Sequence, residues 1–319
     1  MLQQTRVDTV IPYYQRFLQH FPDLQALATA NSEAVLKVWE GLGYYSRVRN
    51  LQRTALIIQN EFHGEFPQAF SELIRLPGIG RYTAGAICSI AFQQPVPVVD
   101  GNVKRVLARL FELDFDVNAA MGEKQLWQLA TQLLPRHSVG DFNQALMELG
   151  ATVCLPLNPL CQTCPLAQDC LAKQHGRQHL LPLRQVKKPI PHYVIGAGLI
   201  WKDGRLLITR RREHGLLGGM WEFPGGKQES DEEIRQCVQR EINEELGVVV
   251  EVGEHFATVK HAYTHFRITL EIFHCQWLAG EPNCRECQDF RWIKLIELNH
   301  FPFPRANKRV IEKLLDNQK

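Results

Sequence analysis

The sequence predicts an all-α first half followed by an α+β domain. Three observations carry this reading. Apolar residues recur at helical spacing through roughly the first 150 residues. Strand-like runs around tight turns begin only near Tyr193. Between the two lies "AKQHGRQHLLPLRQVKKPIPHY", which holds Pro182, Pro189 and Pro191, a basic run and no regular periodicity, as a linker does.

In order along the chain, "VDTVIPYYQRFLQHF" places Val7, Val10, Ile11, Tyr14 and Leu18 at the spacing of one helical face. "SEAVLKVWEGLGYYSRVRNLQRTALIIQNEF" reads as two helices broken near Gly41 and Gly43. "SELIRLPGIGRYTAGAICSIAF" is a helix, a Pro-Gly turn and a second helix, and "GNVKRVLARLFEL" and "EKQLWQLATQLLP" continue the helical pattern. Beyond the linker, "YVIGAGLIWKDGRLLITRR" reads as two strands around an Asp203-Gly204 turn. "ESDEEIRQCVQREINEEL" is a helix, and "VEVGEHFATVKHAYTHFRITLEIFHCQWL" is again strand-like. The chain of 319 residues has room for two domains and a third small one. The divisions expected are 1–94, 95–174, a linker at 175–192, and 193–319.

An apolar fraction of 45% and a charged fraction of 22% are ordinary for a soluble globular protein. The net charge is only +2, so nucleic-acid binding has to come from local clusters rather than bulk charge. The opening "MLQQTRVDTV" is polar, unlike a signal peptide, and no apolar run approaches the ~20 residues of a membrane span. A cytoplasmic location is expected, with no membrane partner.

Four of the nine cysteines fall in "CLPLNPLCQTCPLAQDC", as Cys154, Cys161, Cys164 and Cys170. In a reducing compartment such a cluster reads as metal ligands rather than disulfides. The spacing alone fits either one zinc or a [4Fe–4S] cluster. Cys284 and Cys287 form a lone C-x2-C, for which two free thiols are expected over a zinc clip, because a second ligand pair at metal-site spacing is missing.

"LPGIGRYTAGAI" lets Gly78 and Gly80 turn the backbone between two helices, and the second helix starts with free N–H groups that suit a phosphate. Twenty residues on, Asp100 precedes the helix of "VVDGNVKRVLARL". As an N-cap it stays ionised, helped by the helix dipole. An ionised carboxylate facing a cationic sugar is what cleavage of an N-glycosidic bond needs. Gly226, Glu232, Arg240, Glu241, Ile242, Glu244, Glu245, Gly247 and Val248 satisfy the whole Nudix pattern. Glu241, Glu244 and Glu245 lie on one helical face, where clustered carboxylates bind Mg²⁺ and let it activate water on a pyrophosphate.

Taken together, the hairpin, Asp100, the cysteine loop and "GLGYYSRVRNL" resemble the MutY family of the helix–hairpin–helix DNA glycosylases, over nearly the whole chain. The six-two-five cysteine spacing is similar to the iron–sulfur loop of the endonuclease III type, and it is this resemblance that implies [4Fe–4S] rather than zinc. It also implies an all-α helix–hairpin–helix glycosylase part followed by an α+β Nudix-like domain that recognises 8-oxoguanine. The implied activity is removal of adenine mispaired with 8-oxoguanine or guanine, on double-stranded DNA held in a cleft, by a monomer. Asp100 would stabilise the oxocarbenium ion, Asn102 would lie in the adenine pocket, and Tyr82 stands where bifunctional relatives keep a Schiff-base lysine. Gln3, Gln4 and Tyr44 would wedge near the lesion pair while the adenine is flipped out. Arg47, Arg49, Lys104, Arg105 and Arg109 read as exposed charges that could contact phosphate. Tyr263, Thr264 and His265 resemble the family's 8-oxoguanine-probing loop, with Thr in place of the usual Ser.

The sequence departs from the family in two places. The family's catalytic glutamate, which protonates adenine and activates water, stands almost directly before the segment matching "MLQQT", and the chain begins at Met1. The chain as written is therefore expected to lack excision activity. The Nudix box, usually eroded in the family, is whole here, so Mg²⁺-dependent hydrolysis of oxidised nucleotides such as 8-oxo-dGTP is an alternative activity, and non-catalytic lesion binding a third.

Overall fold

The computed structural model describes residues 1–3, 5–183 and 189–317; Gln4 and the basic stretch 184–188, both singled out above, lie outside the described residues. The helices of the first half are α1 Val7–His20, α2 Leu24–Thr29, α3 Ser32–Trp39, α4 Ser46–Glu61, α5 Phe70–Leu73, α6 Arg81–Ala86, α7 Gly101–Leu110, α8 Ala120–Gln132, α9 Val139–Thr152 and α10 Leu171–Gln174. There follow β1 His192–Lys202, β2 Arg205–Arg210, β3 Trp221–Glu222, β4 Gly225–Lys227, α11 Ile234–Leu246, β5 Val249–Ala262, β6 Arg267–Ala279, β7 Asp289–Ile293 and α12 Arg305–Asp316. The helical half and the α+β half both form as the sequence patterns predict. By contacts the chain divides into two compact units, Met1–Gly64 with Pro189–Lys319, and Glu65–Lys188.

In the first unit, strand order is β3-β2-β1-β6-β5, with β4 paired to β1 and β7 to β2. β1 and β6 run parallel over ten residue pairs, from His192 opposite Arg267 to Trp201 opposite Gln276. Asp203 and Gly204 both adopt positive φ, as the two-residue hairpin between β1 and β2 requires. One face of the sheet packs on α12 through Val310, Ile311 and Leu314. The other buries Val238, Ile242 and Leu246 of α11. Helix α11 opens on a capping box in which Glu233 and Gln236 exchange bonds with each other's backbone.

Helices α1 to α4 build a separate core around Trp39, Leu36 and Val48, which Met220 also enters. On α1 the buried residues are Val10 and Phe17, whereas Val7, Ile11, Tyr14 and Leu18 are exposed. The helix is as expected, but the stripe read from the sequence is largely the solvent face. These helices are fastened to the rest of the unit by Glu40. Its Oε1 accepts from the Phe303 N–H at 2.9 Å, and its Oε2 accepts from Lys37 at 2.8 Å and Lys308 at 2.9 Å.

The second unit packs α7 against α8 and α9 around Val103, Leu107, Leu126 and Trp127. Helix α6 continues into a π-turn, Ile87–Ala91. The approach of α9 to α7 is set by Gly150: a methyl group there would sit 2.5 Å from Cβ and 3.0 Å from Cα of Asn102.

Two cysteine readings separate at this level. Cys154, Cys161, Cys164 and Cys170 carry free thiols, but Cys284 and Cys287 are joined in a disulfide, against the expectation of two free thiols. The loop between β6 and β7 brings their Cα atoms to 5.0 Å, a proximity that residue spacing does not specify.

Gly150→Ala should destabilise the protein by about 1–3 kcal/mol through overpacking against α7. Gly101→Ala, at an exposed site with nothing within 4 Å, should leave thermal unfolding unchanged or raise it slightly. A second expectation concerns Glu245, which burial and the charge of Glu222 push up from an ordinary 4.5 to about 8. A folded-state value above the unfolded one means stability is fully present below about 4.5 and lost as pH rises through about 8. Unfolding free energy should therefore fall between about pH 4.5 and 8 for the wild type relative to Glu245→Gln, by at most ~1.4 kcal/mol per pH unit, and thermal melts across that range should read it as a falling melting temperature. Parallel curves would contradict it.

Candidate functional sites

In the second unit, Asp100 is the N-cap of α7. Its Oδ1 accepts from the Val103 N–H at 2.7 Å and its Oδ2 from the Asn102 side-chain amide at 3.2 Å. Two donors at the N-terminal end of a helix fix the orientation of the carboxyl group. Asn102 is held in turn, because its Oδ1 accepts from Arg105 at 2.9 Å. Burial, and then the nearby charge of Asp100, raise the Tyr82 phenol pKa, and its hydroxyl lies 3.9 Å from Met147 Sδ. The three residues assigned to base chemistry thus sit together. The hairpin that delivers Tyr82 turns at Gly78, where φ is +76°, and Gly80 precedes α6 without a side-chain cap. Lys104, assigned to phosphate, lies 3.4 Å from Glu123 in an ion pair.

Arg105 and Arg109, expected on the surface, are buried. Arg105 donates to the carbonyls of Gly150 at 2.6 Å and Cys154 at 2.7 Å. Arg109 donates to Leu155 at 2.7 Å and Leu181 at 2.9 Å, and its Nη1 lies 3.3 Å from Cys154 Sγ. The carbonyls at the end of α9 and in the loop after it supply the acceptors. A basic residue in a helix otherwise facing the core was the only signal of this in the sequence.

The four clustered cysteines border one small cavity with Arg109 and Lys173. The Cys161 thiol pKa is raised by burial first and by the other three sulfurs next, while Arg109 opposes the shift. Among the described residues, no three His, Cys, Asp or Glu side chains converge as ligands of a single metal ion. Four thiols around one cavity are the donor set that a metal–sulfur centre uses.

The first unit holds the other assigned residues. Tyr263, Thr264 and His265 form the turn between β5 and β6. Tyr263 stacks on Phe266 at 4.7 Å, and burial pushes its phenol up to about 12. Thr264 and His265 are exposed. Tyr44, in the left-handed region at φ +48°, reaches Thr264, with the two hydroxyls 2.6 Å apart. Tyr45 beside it belongs to the helical core. Arg47 is half-buried and turned inward. It donates to the carbonyls of Met1 at 2.7 Å and Gly43 at 3.2 Å and to the backbone of Gln3, and lies over the Tyr44 and Trp39 rings. Arg49 likewise donates to the carbonyls of Gly215 and Gly218.

A cavity of about 700 Å³ opens beside the Nudix helix. Glu241 and Glu245 line it, together with Glu222, Arg211, Lys227 and Tyr263. Glu222 was not foreseen. It lies four residues ahead of the box, and β3 carries it to the cavity, where Arg211 pairs with it. Burial raises the carboxyl pKa of Glu222 and of Glu241. Glu244 points elsewhere: it is largely exposed and pairs with Arg240, which also holds Glu241 and Glu232. Gly226 leaves room for the Glu241 carboxyl, which would have to move aside for a Cβ there.

Comparison with known proteins matches both domains. The family described as "HhH-GPD superfamily base excision DNA repair protein" matches residues 1–132, and a NUDIX domain family matches residues 196–313. The adenine DNA glycosylase of Buchnera aphidicola subsp. Acyrthosiphon pisum is 31% identical over 317 residues, covering 99% of this chain and 89% of that one. The adenine DNA glycosylase of Homo sapiens is 36% identical over 358 residues, 97% of this chain and 66% of its own length. Among solved structures, a thermostable thymine-DNA glycosylase is 28% identical, with a TM-score of 0.51 over 55% of this chain and 80% of that one. With a helix–hairpin–helix part and a Nudix-like sheet domain in one chain, and full-length relatives of one activity, the chain belongs to the adenine DNA glycosylases of base excision repair.

Proposed function

We propose that this glycosylase acts on duplex DNA carrying adenine opposite 8-oxoguanine or guanine, as a monomer and without a lyase step. The observation that carries the reading is the Asp100–Asn102–Tyr82 group at the start of α7. As the bond from adenine to C1′ breaks, positive charge develops on the sugar. An Asp100 carboxylate held in place by two donors lowers the energy of that charge without reorganising. Asn102, oriented by Arg105, would line the adenine pocket. A tyrosine at position 82 has no amine with which to form a Schiff base, which supports base release without strand cleavage. In the first unit, the exposed hydroxyl of Thr264 and the ring of His265 would probe the oxidised guanine, with Tyr44 wedging beside them.

The thiols of Cys154, Cys161, Cys164 and Cys170 would hold a [4Fe–4S] cluster, which when bound acts as a structural clasp on the loop. Arg109 beside Cys154 Sγ would offset the thiolate charge.

One observation favours a second activity. Glu222, Glu241 and Glu245 share the Nudix cavity with Lys227 and Arg211, so carboxylates for Mg²⁺ and cations for phosphate lie within reach of one ligand. These residues would bind and orient a nucleoside triphosphate such as 8-oxo-dGTP, and bound Mg²⁺ would activate the attacking water.

The primary reading is tested by binding to duplexes with A opposite 8-oxoguanine and with A opposite T, and by single-turnover adenine release. Release is measured with this chain and with one carrying a glutamate-bearing segment ahead of Met1. Asp100→Asn keeps a good N-cap, so binding should persist while release in the active form falls at least ~100-fold. Equal affinity for the two duplexes would sink the assignment. For the second activity, Mg²⁺-dependent pyrophosphate release from 8-oxo-dGTP should vanish in Glu245→Gln, and release that survives this change would exclude the cavity as its site.

A further inference from the structure

The loop between β6 and β7 caps the end of the Nudix helix. The last carbonyls of a helix have no partner within it. Here the Asn283 N–H donates to the Leu246 carbonyl at 2.9 Å, and the Arg285 N–H to that of Glu245 at 2.9 Å. The Arg285 guanidinium donates to the Asn243 carbonyl at 3.2 Å and lies flat against Gly247, where a Cβ would come within 2.6 Å of it. The opposite side of the loop faces the cavity, whose lining includes Glu286 and Cys287 beside Glu241 and Glu245. One short loop therefore touches both the helix end that carries the carboxylates and the space they face.

That loop is closed by the Cys284–Cys287 disulfide. The two cysteines are only three residues apart, so the bridge constrains little of the unfolded chain and contributes little stability by that route. The two cysteines are placed differently. Cys287 is buried in the core under the sheet, whereas Cys284 is only partly buried at the edge of that core. The chain's other seven cysteines are free thiols.

We propose that Cys284 and Cys287 form a reversible thiol–disulfide couple that sets how firmly this loop caps α11, and with it the carboxylate wall of the cavity. The reductant is a small-molecule thiol of the glutathione class. Its thiolate attacks Cys284 Sγ, the S–S bond breaks, and the electron pair goes to Cys287 Sγ, which takes a proton from water. A second thiolate then attacks the small molecule's own sulfur in the mixed disulfide. This frees Cys284, which is protonated in turn, and releases the oxidised small molecule. Two electrons pass to the protein and two small thiols become one disulfide. Reduction removes the closure that holds Asn283 and Arg285 against the helix end. The couple requires neither DNA excision nor nucleotide hydrolysis.

The test uses the full chain in a series of glutathione buffers of graded redox ratio, with a chelator present to exclude zinc. Thiol trapping followed by mass spectrometry reads the state of each cysteine, and hydrogen exchange reads the amides. The pair should interconvert within the series. Reduction should speed exchange at residues 283–286 and in the last turn of α11 by about 10-fold or more, with α7 unchanged. Cys284→Ser, at a partly exposed position, should exchange at the reduced rate in every buffer. A pair that stays in one state across the series overturns the proposal, as does exchange that ignores the redox ratio in the wild type. A Cys284→Ser variant that still responds does so as well.

Discussion

Two guanidinium groups buried in a helical core are the constraint around which the second unit is organised. Arg105 is 8% exposed and Arg109 2%. A cation out of water is costly unless its hydrogens find acceptors. The chain meets that demand with main-chain carbonyls: Gly150 and Cys154 for Arg105, and Leu155, Pro156 and Leu181 for Arg109. These carbonyls lie at the end of α9, in the cysteine loop and in the segment after α10. Satisfying the two charges therefore ties three stretches of chain to α7, the helix that Asp100 caps. Gly150 permits it, since any side chain there would push α9 away from Asn102.

The same logic of burial shapes the Nudix-like domain, with the opposite sign of charge. Three carboxylates gather in one cavity, and burial raises the pKa of each. Arg211 and Arg240 divide the compensation. Arg211 pairs with Glu222 inside, and Arg240 gathers Glu232, Glu241 and Glu244 at the rim. Arg240 is itself part of the box motif, and its bonds hold Glu232 down to about 2 while Glu245, with the sunk Glu222 as neighbour, is held near 8. The box thus places a carboxyl with a lowered pKa, Glu232, just ahead of α11 and one with a raised pKa, Glu245, within it.

A third tie belongs to the first unit. Helices α1 to α4 precede the hairpin in sequence, yet they share a compact body with the sheet domain. Glu40 accepts from Lys308 and from the Phe303 N–H, and Lys37 donates to the Phe301 carbonyl. Tyr44 and Thr264, assigned to opposite ends of the chain by motif, meet through their hydroxyls. Residues that would read a lesion from two sequence segments are therefore carried by one body.

The sequence by itself determined the two fold classes, the Asp203-Gly204 hairpin, the capping role of Asp100 and the clustering of four thiols. These follow from local spacing and from short-range hydrogen bonds, which neighbouring residues settle between themselves. It could not determine which face of α1 is buried, because Val10 and Phe17 are selected by the helices packed against them. Nor could it separate the buried Arg105 and Arg109 from exposed charges, since the carbonyls of Gly150, Cys154, Leu155 and Leu181 that take their hydrogens lie 45 or more residues away. The disulfide between Cys284 and Cys287 follows from how the β6–β7 loop closes, and the entry of Glu222 into the cavity from the pairing of β3 with β2. Each of these was decided by partners distant in sequence, where burial of charge and apolar surface, rather than local propensity, sets the outcome.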